Sequence, residues 1–147
     1  MTSRDLVPAG NRALALVRED DRYRQLPCNI EAESALIGVV MLRNEVYKRV
    51  ASIVKPEMFF EPIHQKIWRV VEELIQAGVA ATPITMKDYL GDADIGHGMT
   101  PLKYLARLAS SVLAITEARD YARAIRNLYL RRQIIGVCDS TRELAFE

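Results

Sequence analysis

Three arginines, Arg119, Arg123 and Arg126, fall at i, i+4 and i+7 and are followed by Arg131 and Arg132; they are the sharpest chemical signal in the 147-residue sequence. On an α-helix the first three share one face, where guanidinium groups can meet phosphates or the carboxylates of an acidic protein. The plainer account is a solvated face opposite an apolar stripe. The two accounts separate by experiment, because phosphate contacts predict binding to single-stranded DNA that collapses as salt is added.

Beyond these arginines the spacing assembles no catalytic constellation. There is no glycine-rich phosphate loop ending in Lys-Ser or Lys-Thr, no Cys or His pair at metal-ligand spacing, and no Gly-x-Ser-x-Gly. Gly96-His97-Gly98 follows no strand and opens no βαβ unit, so it reads as a loop tip. His64 has the chemistry of a general base, and a hydrolase centred on it is one reading. No carboxylate or thiol is placed beside it by spacing, however, and a capping or surface role is expected. Glu72 and Glu73 are consecutive and diverge on a helix, which makes them a solvated face.

Composition limits the function classes further. Twenty basic and 19 acidic residues leave a net charge of +1, so there is no global electrostatic case for a nucleic-acid binder. No apolar run approaches the roughly twenty residues that span a bilayer. Met1 to Gln25 is charged throughout and lacks the apolar segment of a signal peptide, which makes the cytoplasm the expected location. Cys28 and Cys138 fit no metal spacing and are expected to be reduced thiols.

The elements that must position these residues read as helices throughout. Residues 1–26 alternate charges without an apolar period and are expected to be a flexible tail, with at most a helical turn over Ala13 to Val17. After Pro27, Asn29 is an N-cap and Glu31 and Glu33 suit a first turn. Ile30, Leu36, Ile37, Val40 and Met41 then make a broadly buried helix ending near Leu42, with Gly38 marking a close helix approach. Asn44 is placed to cap a second helix carrying Val46, Val50, Ile53 and Val54, which Pro56 stops. Met58-Phe59-Phe60 is an apolar loop expected to plug the gap between helices. Ile67, Val70, Val71 and Leu74 are the core stripe of a helix from Ile63 to Ala77 that Gly78 ends, with Trp68 bordering the stripe.

Thr85 as cap, Asp88 as reciprocal acid and Ile84 against Tyr89 predict a short helix over Ile84 to Leu90. Gly91 to Met99 is a long loop. Thr100-Pro101 opens a helix with Leu102, Leu105, Leu108 and Ala109 inside, and Ser110 to Ile115 turns the chain into its last element.

That element, Thr116 to Glu147, is Pro-free and reads as one long helix capped by Thr116, with Glu117 in its first turn. Ala118, Tyr121, Ile125 and Leu128 form one apolar stripe; Leu130, Ile134, Val137 and Leu144 form a second. At about 100° per residue the two point about 160° apart. The first half can lie on the preceding domain, whereas the second needs another polypeptide. Otherwise the helix breaks near Arg131 or at Gly136 and folds back on itself.

Several segments taken together resemble a known family. Leu26-Pro-Cys-Asn-Ile-Glu-Ala-Glu-Ser-Ala-Leu-Ile-Gly, Phe59-Phe-Glu-Pro-Ile-His-Gln-Lys-Ile-Trp, Thr82-Pro-Ile-Thr-Met-Lys, Tyr104-Leu-Ala-Arg-Leu-Ala and Tyr121-Ala-Arg-Ala-Ile are similar, in order and spacing, to the N-terminal domain of the DnaB family of bacterial replicative DNA helicases. The resemblance implies an all-α fold: a helical head over residues 27–114 and, over 115–147, the first arm of a helical hairpin. In the family such hairpins pair between subunits to form the N-terminal collar of a hexameric ring.

The resemblance further implies docking of primase and, in some members, of a helicase loader, with DNA contacted weakly or indirectly and no membrane partner. The family's second hairpin arm and its RecA-like ATPase domain have no counterpart here, so ATP, magnesium, hydrolysis and translocation are expected to belong outside this chain, an N-terminal piece of a helicase. The expected function is a non-catalytic assembly and docking domain, with Leu130, Ile134, Val137 and Leu144 as its subunit interface. An independent nucleic-acid-binding module using Arg119, Arg123 and Arg126 is the alternative.

Overall fold

Six α-helices and two short 3₁₀ turns make up the computed structural model, which describes residues 24–91, 95, 98–112 and 117–147; no strand occurs among them. The helix α1, Ile30–Leu42, is the centre of the head. Asn29 caps it, its Oδ1 accepting from the Ala32 N–H at 2.9 Å. Because α1 is apolar nearly all round, it can be covered only from several sides, and α3, α5 and α6 all pack on it. Gly38 makes the closest of these approaches: a Cβ there would run into the Leu108 carbonyl and the Val112 side chain.

The next segment departs from the expected helix. It is a 3₁₀ turn, Asn44–Val46, followed by the four-residue α2, Tyr47–Val50, although Val46, Val50 and Val54 are buried as their spacing requires. Nor does Asn44 cap anything. Its Nδ2 donates to the carbonyls of Val40 (2.7 Å) and Ala81 (2.9 Å), and its Oδ1 accepts from the Ala81 N–H (2.8 Å). The Asn44 amide thus stands in for a strand partner to a buried residue 37 positions away. Asn44→Ala strips both polar groups of Ala81 of partners, and is expected to cost about 2 kcal/mol in a urea titration.

After the 3₁₀ turn Pro56–Met58, α3 runs over Pro62–Gln76 and ends in a Schellman motif: Gly78 at φ +74° donates to Ile75, and Val79 donates back to Leu74 at 2.8 Å. Ile67, Val70, Val71 and Leu74 are buried as expected. Trp68 does not border the stripe but is wholly enclosed, 5.1 Å from the Phe59 ring and 5.9 Å from the Tyr47 ring. Phe59 is the plug of its loop, whereas Met58 and Phe60 are half-buried.

Helix α4, Pro83–Leu90, begins earlier than the Thr85 cap would place it. Thr82 is the N-cap and Thr85 the reciprocal residue, because Pro83 takes the first helical position, where its missing N–H is no loss. Ile84 and Tyr89 are both exposed, so they make no staple. In α5, Pro101–Ser110, Thr100 caps as expected, Leu105 and Leu108 are buried, Ala109 is half-buried and Leu102 is exposed. The loop tip Gly96-His97, the cap Thr116 and residues 1–23 of the expected tail lie outside the described residues.

Candidate functional site

Helix α6, Ala118–Leu144, passes unbroken through Arg131 and Gly136. Its first half faces the head: Ala118, Ala122 and Ile125 are buried, with Tyr121 and Leu128 half-buried beside them. Arg132 marks where that contact ends. Its guanidinium donates to the carbonyls of Pro27 (2.8 Å) and Met58 (2.7 Å) and lies 5.4 Å from the Phe60 ring centre. Thus Arg132 is an anchor on the head, not a member of a free basic face. Ala118, Ile125 and Arg132 are seven residues apart in turn, so one line along the helix carries the contact.

Past Arg132 every residue of α6 is exposed. Leu130, Ile134, Val137 and Leu144 are aligned on one side with 47%, 63%, 66% and 67% of their surfaces in solvent. Together they form a line of large apolar side chains open to solvent. Arg119, Arg123 and Arg126 are also exposed, on the half of α6 nearest the head. Arg123 lies 3.6 Å from Asp120, both well exposed, and such a pair contributes little.

A second polar assembly, which spacing alone did not reveal, sits inside the head. Glu33 (2% exposed) reaches from α1 to the start of α3, where its carboxylate accepts from the N–H groups of Phe60 (2.6 Å) and Glu61 (3.4 Å) and meets His64 Nδ1 at 2.7 Å. His64 is fully buried, contrary to the expected surface role, and its Nε2 lies 2.7 Å from the Tyr104 hydroxyl on α5. A carboxylate only accepts, so Nδ1 carries a proton; in the neutral ring Nε2 then accepts from the tyrosine.

Burial, and next the nearby Glu61 carboxylate, push the Tyr104 phenol above its ordinary range, which keeps it a donor. The readable signal was Glu33 itself, a charge in step with Ile30, Ile37 and Met41 on an apolar stripe.

This triad has the residue types of an acid–base site, but its Glu33 and His64 are buried in the head and only Tyr104 is partly open. Two clefts open along the distal half of α6, the larger of about 820 Å³ between Leu26–Pro27 and Ile134, Ile135 and Cys138, and neither is lined by Glu33, His64 or Tyr104. What the triad does is tie α1, α3 and α5 together. Among the described residues no group of three or more His, Cys, Asp or Glu side chains could hold a metal ion. No helix of the described residues is long and apolar enough to cross a membrane.

An all-helical head from which one long helix projects, anchored along half its length and apolar along the rest, defines a class of small helical domains with an arm. Residues 25–127 match the model of the DnaB-like helicase N terminal domain, and the chain belongs to that family. It is 36% identical over 114 residues to the replicative DNA helicase DnaB of Rickettsia bellii (strain RML369-C), covering 78% of this chain and 23% of that protein. To the replicative DNA helicase DnaB of Rickettsia typhi (strain ATCC VR-144 / Wilmington) it is 36% identical over 130 residues, covering 86% of this chain and 26% of that protein.

The chain therefore spans about a quarter of the length of the curated relatives it matches, and corresponds to their N-terminal domain. Its fold is that of the N-terminal domain of DnaB helicase from Mycobacterium tuberculosis, with a TM-score of 0.76 at 22% identity over 84% of this chain and 89% of that one. The family match ends at Asn127, just before the uncovered half of α6.

Proposed function

We propose that this chain is the non-catalytic collar part of a replicative DNA helicase, acting in the cytoplasm to associate subunits and to receive primase and, where one is used, a helicase loader. The observation that supports association is the exposed line Leu130, Ile134, Val137 and Leu144 on a helix that does not fold back. The role in DNA replication rests on family membership and on what the relatives are named. ATP and magnesium belong, in this reading, to an ATPase domain outside the chain.

Ile134→Glu places a charge in the middle of the line, at an exposed residue outside the core of the head. It is expected to lower the mass seen by light scattering while the circular dichroism melt of the head stays within about 0.5 kcal/mol, as surface changes usually do. An unchanged mass refutes the association role. Sedimentation with the C-terminal domain of the cognate primase tests docking. Salt-sensitive binding of single-stranded DNA, lost in Arg119→Ala/Arg123→Ala/Arg126→Ala, would instead support the nucleic-acid-binding module.

A further inference from the structure

We propose that the segment 58–61 joins two events into one equilibrium, the seating of the α6 arm on the head and the closure of the Glu33–His64–Tyr104 chain inside it, so that the arm and the partly open Tyr104 face of α5 respond to each other. The coupling needs no second copy of the chain. Within a few residues the segment is held from both sides. On the outside, the Arg132 guanidinium donates to the Met58 carbonyl at 2.7 Å and lies 5.4 Å from the Phe60 ring centre. On the inside, the Glu33 carboxylate accepts from the Phe60 N–H at 2.6 Å and the Glu61 N–H at 3.4 Å. Between the two grips the Phe59 carbonyl accepts from Gln65 Nε2 at 2.7 Å, and the Phe59 ring is buried against Trp68. A shift of the arm that drags Met58 therefore draws the Phe60 N–H off its carboxylate.

Burial makes the response all-or-none. Glu33 and His64 are 2% and 0% exposed, so water does not replace a donor or acceptor that either one loses, and a buried carboxylate short of a donor bears the cost of its own desolvation. The bonds from Phe60 to Glu33, from His64 Nδ1 to Glu33 and from Tyr104 to His64 Nε2 accordingly hold or break as a set. The two ends differ from the middle: Arg132 and Tyr104 are half-buried, and water can take over their bonds. The segment thus has two arrangements, one closed and one with the guanidinium hydrated and the phenol turned to solvent. Such a two-state element is what physical coupling between distant sites requires, and its effect runs equally in both directions. A pull on the arm frees the Tyr104 hydroxyl, and a contact that presses Tyr104 onto His64 steadies the arm.

Proton exchange with water, read by nuclear magnetic resonance on the full chain, tests the coupling at the end away from each substitution. Arg132→Met keeps the packed stem and removes the fork; it is expected to speed exchange of the His64 Nδ1 proton about tenfold, the factor that one lost hydrogen bond gives to a local opening. Tyr104→Phe removes only the hydroxyl and is expected to speed the Met58 and Phe59 amides, which donate to Lys55 and Pro56, by a similar factor. The Met86 amide, bonded to the Thr82 carbonyl in α4, should keep its parent rate in both variants. No change, or changes confined to the side of each substitution, overturns the coupling and leaves two separate fastenings. A rise that includes Met86 overturns it as well, because the head has then loosened as a whole.

Discussion

Replacing Trp68 by alanine is expected to destabilise the head by about 4 kcal/mol in chemical denaturation, in the upper part of the range for large-to-small aromatic changes. The ring is wholly enclosed and contacts Phe59 and Tyr47, both fixed on other elements, so the surroundings cannot close over the space it leaves. Among the described residues its Nε1 has no hydrogen-bond partner, so the expected loss is one of packing. Trp68→Phe should accordingly recover more than half of it. If Trp68→Ala melts like the parent and instead loses a binding partner, the burial described for this residue is wrong.

Glu33→Ala is expected to be nearly as severe, about 3 to 4 kcal/mol, although it removes a charge and a short side chain from an apolar interior. The substitution leaves the Phe60 and Glu61 N–H groups and His64 Nδ1 facing a space with no acceptor, and breaking one side of a buried polar pair costs more than the pair contributes. Non-additivity provides the test: Glu33→Leu/His64→Leu should be less destabilised than the sum of its two single changes by at least about 1 kcal/mol, because no orphaned partner remains. Strict additivity in urea titrations would mean that the two side chains do not act together.

Much of the fold was legible because it is written locally. Asn29, Gly78 and the pair Thr100-Pro101 each terminate a helix by bonds made within a few residues, and the helices begin or end beside them. Gly38 foretold a close approach, since only a missing side chain lets the α5 backbone in. The misplacements share a cause. Asn44 looked like a cap, but its partner lies 37 residues on; His64 looked unpartnered, but its carboxylate is 31 residues back and its tyrosine 40 ahead.

Spacing along a chain carries no information about such through-space pairs. At the start of α4, Pro83 outweighed the Thr85–Asp88 pattern because a fixed φ settles the first helical position before any side-chain bond does. Of the candidate surface, the residues and their alignment could be read in advance. That Arg132 leaves the basic run to hold the head could not.

The position of Arg132 has a mechanical corollary. Everything nearer the head is held by close packing, and everything beyond projects for about 18 Å at 1.5 Å per residue. A sideways force at the tip therefore reaches the Arg132 guanidinium, which bridges the segment entering the first helix and the turn before the third. The molecule is a lever with its fulcrum placed about halfway down the handle, and tilting the tip tugs on two separate parts of the globule at once.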